Sequence, residues 1–348
     1  MKPLVHSPTW RADLATLVHA FPEALIPRGT ILVTGATGLV GSALVDLLLA
    51  LRARRGAPDR IVAAGRSHAR LAQRFETSAG LTFLEYDATK PLVLTENVDA
   101  IVHAASNASP ELYVQDPCGT LSANIDGVRG ILESACRMTG CRVLYVSSSE
   151  VYGIRTHGGP AREDDYGRVD PLSPRASYAE AKRAAEAVCA AYAAQYGVHV
   201  AIVRPGHVYG PTATPADRRV SSVFAFRAAH GEPLVLTSAG TQLRSYCHCL
   251  DCATAMLTVL ARGVQATAYN ISNPASILTI REMATHFAAV GGTSLSFGAP
   301  TAAEKAAFNP MPDSSLVADR LLALGWQGHF PAPRGFERTV NALRDILA

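Results

Sequence analysis

Residues 31–41 read Ile31-Leu32-Val33-Thr34-Gly35-Ala36-Thr37-Gly38-Leu39-Val40-Gly41. A buried-strand run stops at a glycine, glycines recur in a G-x-x-G-x-x-G pattern, and a helical stretch follows. In that context the three glycines do different things. Gly35 permits the tight turn, Gly38 lets the backbone approach a pyrophosphate, and Gly41 lets the helix pack on the strand. The helix N-terminus adds unpaired amides and a positive dipole end. The stretch therefore predicts a dinucleotide-binding turn in which Thr37, Leu39 and Val40 accompany the glycines.

Reading outward, strand and helix patterns alternate. Thr30–Val33 is read as a strand, Leu39–Arg54 as a helix, Arg60–Ala64 as a strand and Ser67–Thr77 as a helix. Strands follow at Leu81–Tyr86, Ala100–His103, Arg142–Val146 and His199–Val203, with helices at Pro117–Met138 and Ser177–Tyr196. This βαβ alternation predicts an α/β fold, a doubly wound parallel sheet of Rossmann type, over residues 30–205. Residues 1–29 read as a helical extension, with Trp10, Leu14, Leu17 and Val18 at helical spacing. Residues 206–348 read mainly as a smaller α/β substrate lobe, with helices near Val220–Ala229, Asp251–Ala261, Ile280–Ala289 and Asp313–Leu324.

Composition narrows the function classes. Of 348 residues 48% are hydrophobic and 18% charged, against roughly 25% charged in an average domain, so the chain can bury a large core. A net charge of +3 gives no strong field, which argues against nucleic acid as a partner. The longest apolar stretch, Ala43–Leu51, contains Asp46 and is too short to span a bilayer, and the first 29 residues show no uninterrupted apolar core of a secretory signal. Seven cysteines, an odd number scattered through apolar segments, predict reduced thiols in the cytoplasm. Cys247-His248-Cys249 and Cys252 lack the separated pairs of a metal-ligand set, so no metal is expected.

The second strand ends Ala63-Ala64-Gly65-Arg66-Ser67. A carboxylate about 20 residues after the glycine turn commonly grips the ribose hydroxyl of NAD. Arg66, helped by Ser67, can pair with the 2′-phosphate of NADP instead, or stack on adenine with either cofactor. Tyr178 and Lys182 stand four positions apart on one helical face, where an ammonium is expected to lower the phenol's pKa. A serine across the site can hold a substrate hydroxyl, and Ser147-Ser148-Ser149-Glu150-Val151-Tyr152-Gly153 follows a strand.

With these motifs the chain resembles the extended short-chain dehydrogenases/reductases, the nucleotide-sugar epimerases, dehydratases and decarboxylases, from about Thr30 to Trp326. Within that family it resembles the UDP-glucuronate decarboxylase-like proteins, through Ser173-Pro174-Arg175-Ala176-Ser177-Tyr178, Asp217-Arg218-Arg219-Val220 and Gln242-Leu243-Arg244-Ser245-Tyr246. The resemblance implies Tyr178 as acid/base, Lys182 as its partner, Ser148 as the polarising hydroxyl and Asn124 as an ordering group. It implies Asp87 and Ala88 at the adenine, and His103, Ala104, Ala105 and Pro205 along the cofactor. Ser149, His207, Arg219 and Arg244 then face a nucleotide-linked sugar, with guanidinium suited to bidentate phosphate contacts.

There are departures. His207 stands where the family usually has asparagine. Ser149-Glu150 replaces the Asp-Glu pair of the dehydratases, which argues against 4,6-dehydration. Glu150 is read either as an acid/base group near the sugar or as a carboxylate satisfied by backbone. The alternatives are a decarboxylase or epimerase that recycles its cofactor, an NADPH-dependent ketoreductase that consumes it, and a catalytically silent regulator, against which intact Ser148, Tyr178 and Lys182 argue. Family members commonly dimerise through the helix that carries the tyrosine, alanine-rich here, so a homodimer is expected.

Overall fold

The computed structural model describes residues 2–347 apart from 93 and 95. Helix α1 (Pro8–Ala20) opens the chain, with the Ser7 hydroxyl accepting from the Trp10 amide at its N-terminus. The alternation then runs β1 (Thr30–Thr34), α2 (Leu39–Arg55), β2 (Arg60–Gly65), α3 (His68–Arg74), β3 (Leu81–Glu85), β4 (Ala100–His103), α4 (Pro110–Gln115), α5 (Pro117–Ala135), β5 (Arg142–Val146), α6 (Ala176–Tyr196) and β6 (His199–Pro205). Beyond it come β7 (His207–Tyr209), α7 (Val220–His230), β8 (Leu234–Leu236), β9 (Leu243–His248), α8 (Cys249–Arg262), β10 (Ala268–Ile271), β11 (Ile277–Thr279) and α9 (Ile280–Gly291). The chain closes with β12 (Leu295–Phe297), α10 (Ala302–Ala307), β13 (Asp313–Ser314), α11 (Asp319–Ala323) and α12 (Ala332–Leu347).

Seven parallel strands form the main sheet in the order β10-β6-β5-β4-β1-β2-β3. Strand order reverses between β1 and β4, and a crevice outside the carboxyl ends of the strands is where such sheets bind ligands. Helices cover both faces, so β1 and β4 are almost wholly buried and read as continuous apolar runs. The seventh strand, β10, comes from the chain beyond residue 205, which the sequence pattern assigns mainly to the substrate lobe. The remaining strands make a small sheet of β11-β9-β13 with β7 on β9, and a pair β8-β12.

Two expectations change. The helix read over Asp313–Leu324 is a short strand followed by a helix of Asp319–Ala323 alone. The Asp313 carboxylate accepts from the Ser315 amide (2.8 Å) and hydroxyl (2.6 Å), a local bond that competes with helix, and β13 pairs with β9 instead. In addition, α12 is a long amphipathic helix that the sequence patterns above leave out; it buries Phe336, Val340, Leu343 and Ile346. The N-terminal extension is clamped between α2 and α12. Trp10 donates its indole N–H to Asp46 of α2 (3.0 Å), which Arg74 also grips (2.6 Å). Ser7 donates to Asp345 (2.6 Å) and Arg338 to Asp13 (2.8 Å).

Candidate active site

The glycine turn lies at the carboxyl end of β1. Gly35 has φ +66°, and a Cβ there would meet the Ala104 carbonyl oxygen at 2.6 Å. A Cβ on Gly41 would come within 2.3 Å of the Gly35 oxygen, so α2 reaches the strand only because residue 41 has no side chain. Gly38 is the N-cap of α2 without a capping side chain, which leaves the positive end of the helix toward the crevice. This cradle fits a pyrophosphate. Thr34 and His103, at the ends of β1 and β4, are bridged at 2.8 Å between Oγ1 and Nδ1, and Thr34 Oγ1 also accepts from the Ala105 amide (3.3 Å). Burial, with help from the Lys182 charge, holds the His103 imidazole neutral, its pKa lowered to about 3.

Around the turn, Arg66 directly follows β2 as an exposed residue and Ser67 caps α3, accepting from the Arg70 amide (3.3 Å). Asp87 accepts from the Thr89 amide (3.0 Å) and hydroxyl (2.9 Å), which lowers its pKa, and Arg66 is near enough to add to that effect. Ala88 beside it is buried.

The α6 helix brings Tyr178 and Lys182 to the carboxyl end of β5. Lys182 Nζ donates to the Val146 carbonyl at 2.7 Å and lies 4.8 Å from the Tyr145 ring and 5.7 Å from the Tyr178 ring. Ser148, two residues past β5, caps the turn that follows by accepting from the Glu150 amide (3.2 Å). Asn124 on α5 is buried, accepts from Ser106 (2.9 Å) and donates to the Thr120 carbonyl (2.8 Å).

The expected lowering of the tyrosine pKa is not found. Burial pushes the Tyr178 phenol up to about 12 and the Glu150 charge adds to the rise, while hydrogen bonds with Ser148 and Tyr113 and the charge of Arg219 pull against it. The same burial pushes Lys182 down to about 7, partly opposed by Glu186. Desolvation disfavours both charged forms, so it outweighs the attraction that the four-residue spacing implies.

Glu150 is held by Arg175 through two bonds of 2.8 and 3.0 Å rather than by backbone. Arg219 wraps the Asp217 carboxylate with Nε (3.0 Å) and Nη2 at the start of α7. Arg244 on β9 is buried, donates to the Leu243 carbonyl (2.9 Å) and feels Glu150, Asp313 and Arg175. His207 on β7 meets the Ser314 hydroxyl at 3.1 Å, and burial together with Arg244 and Arg219 keeps it neutral, its pKa lowered to about 3. Ser149 is buried in the turn, and Pro205 closes β6.

Two groups escape the sequence patterns. Tyr113 of α4 stacks flat on Tyr178, centroids 4.3 Å apart and planes 8° apart, with the Arg175 guanidinium 5.6 Å from its own centroid. A polar network also starts next to Ser148. Ser147 donates to Glu186, one turn beyond Lys182; Arg204 clasps that carboxylate (2.9 and 2.6 Å) and also donates to the Tyr152 hydroxyl (3.0 Å), which in turn donates to Asn270 of β10. Helical spacing on α6 puts Glu186 on the Lys182 face, but nothing local announces Arg204 as its partner.

Among known families, the model described as the NAD dependent epimerase/dehydratase family matches residues 31–272. The chain belongs to the NAD dependent epimerase/dehydratase family. It is 32% identical to "UDP-glucuronic acid decarboxylase 1" of Xenopus tropicalis over 92% of its own length and 73% of the relative's. It is 35% identical to "UDP-glucuronic acid decarboxylase 6" of Arabidopsis thaliana over 70% and 69%. The solved dTDP-glucose 4,6-dehydratase DesIV of Streptomyces venezuelae, with NAD bound, superposes with TM-score 0.75 at 27% identity over 91% of this chain and 97% of that one. The UDP-glucuronic acid 4-epimerase of Bacillus cereus shares the fold, with TM-score 0.73 at 21% identity over 90% and 99%. As a member of this family the chain is an enzyme of the short-chain dehydrogenase/reductase class.

Among the described residues no helix is long and apolar enough to cross a membrane. The seven cysteines are free, five of them buried.

If Glu186 anchors the floor of this site, Glu186→Ala leaves the Arg204 guanidinium buried without its carboxylate. Chemical denaturation should then show a loss of about 3–5 kcal/mol; a loss below about 1 kcal/mol would mean that the network contributes little.

Proposed function

We propose that the chain binds NAD at the glycine turn and converts a UDP-linked uronic acid by C4 oxidation, loss of the C5 carboxylate and re-reduction, as a UDP-glucuronate decarboxylase. The observation that carries this reading is the convergence of Ser148, Tyr178 and Lys182 at the carboxyl end of β5, beside the β1–β4 crevice. The likeness to decarboxylases over most of the chain supports the choice of substrate. NAD supplies, when bound, a carbon that accepts hydride from the sugar and returns it.

This chain's residues supply the rest. Tyr178 removes the proton of the C4 hydroxyl as hydride leaves that carbon, and later returns a proton to the ketone oxygen. Ser148 holds the same oxygen, and Lys182 orders the floor of the site from Val146. The ketone stabilises the electron pair left at C5 when the carboxylate departs as carbon dioxide, and a proton added at C5 gives a UDP-pentose. Arg219 and Arg244 take diphosphate oxygens, and Asn124 orders the segment at Ser106. Glu150, its charge balanced by Arg175, sits near the reacting phenol and serves as the acid/base group at the sugar.

Arg66 supports a second reading, a preference for NADP and a net ketone reduction, because an exposed guanidinium directly follows β2, placed to pair with a 2′-phosphate. The free thiols support a cytoplasmic enzyme. The alanine-rich α6, which exposes Ala187, Ala190, Ala191 and Ala194, supports dimerisation through that helix.

With UDP-glucuronic acid and NAD, the expected result is carbon dioxide and a UDP-pentose without net change in reduced nicotinamide absorbance. Tyr178→Phe should lower kcat by about 10²–10⁴-fold, and full activity in that variant would sink the assignment. Stoichiometric consumption of NADPH with a keto sugar would favour the reductase, and Arg66→Ala should then weaken NADPH binding more than NADH binding in calorimetry.

A further inference from the structure

Tyr113 is the one aromatic group on α4 placed against the reacting phenol, and the family motifs do not account for it. It is 3% exposed and Tyr178 is 6% exposed, so the two rings seal one another from water. Their planes differ by 8° at 4.3 Å, a parallel stack that fixes the rotation of the Tyr178 ring. The Ser177 hydroxyl donates to the Tyr113 backbone carbonyl at 3.0 Å, tying α4 to the first turn of α6 immediately before Tyr178. Arg175 lies 5.6 Å from the Tyr113 ring centroid while bonding Glu150.

We propose that Tyr113 is a positioning residue for Tyr178: its hydroxyl and that of Ser148 together hold the phenol oxygen, and its ring sets the plane in which that oxygen meets the substrate. The inference rests on the reading of Tyr178 as the acid/base. A phenolate that accepts two hydrogen bonds is favoured over one that accepts a single bond, and both hydroxyls act in that direction on Tyr178. The other charged or titratable groups facing the pair are Glu150 from the turn after β5, which opposes ionisation, Arg175 before α6, Lys182 on α6, Arg219 before α7 and Tyr145 on β5. Arg175 pairs with Glu150, and the Tyr113 hydroxyl acts on the phenol beside Ser148 and Arg219, against the rise that burial and Glu150 cause.

Tyr113→Phe keeps the stack and removes only that hydroxyl. In the kcat/KM profile with UDP-glucuronic acid and NAD, the acidic limb should move up by about one pH unit, and activity below the limb should fall about tenfold, as expected for one hydrogen bond to a charged group. KM should change little. A readout free of the substrate choice is the NMR signal of the Tyr178 Cζ in NAD-loaded protein containing isotope-labelled tyrosine, assigned with Tyr178→Phe; it should shift in Tyr113→Phe at constant pH. An unmoved profile and an unmoved resonance, or an effect confined to KM, would overturn the proposal. Retained activity in Tyr178→Phe would instead overturn the functional reading, while the resonance would still test the Tyr113–Tyr178 contact.

Discussion

The bond from Lys182 Nζ to the Val146 carbonyl fixes the helix that carries Tyr178 to the end of the strand that leads into Ser148. An ammonium cannot be buried cheaply, and here burial brings its pKa down to about 7. The site nevertheless keeps the group, because the bond sets the distance between α6 and β5. Tyr178, one turn earlier, then lands beside Ser148, two residues beyond Val146. Behind this contact the Ser147–Glu186–Arg204 network locks the same helix to β6, and through Tyr152 and Asn270 to β10. The site therefore rests on the sheet rather than on loops, which suits chemistry that needs tight positioning.

Burial has two opposite effects at this place. It excludes water and strengthens every local interaction, and it also raises the phenol and lowers the ammonium away from their charged forms. The chain offsets this with hydroxyls on the phenol oxygen and with the nearby Arg219, while Arg175 balances Glu150. The arginines on which diphosphate contact is expected are themselves organised: Arg219 is held by Asp217, and Arg244 is packed in the small sheet beside His207, which stays neutral.

Much of the fold is legible in the sequence because it is built from local signals. The glycine turn, the strands at Ala100–His103 and Arg142–Val146 and the helix ending at Tyr196 coincide with their sequence patterns. Asp313–Leu324 misleads because Asp313 and Ser315 bond locally and the segment finds a strand partner in β9, a contact far away in sequence. The α12 helix carries a readable stripe at Phe336, Val340, Leu343 and Ile346, outside the patterns that define the rest of the lobe. At the site, Ser148, Tyr178 and Lys182 follow from motifs. Tyr113, the Arg175–Glu150 pair and the Glu186–Arg204 clasp depend on pairings between distant elements, and the direction of the Tyr178 shift depends on burial that spacing does not encode.

The most direct test of the account is the fate of the hydrogen on C4 of the sugar. With UDP-glucuronic acid deuterated at C4 and catalytic NAD, the label should slow turnover when hydride transfer limits the rate, and it should be found at C4 of the UDP-pentose, because the hydride removed is the hydride returned. Deuterium lost to solvent, or a product formed at the same rate by protein stripped of NAD, would contradict the account.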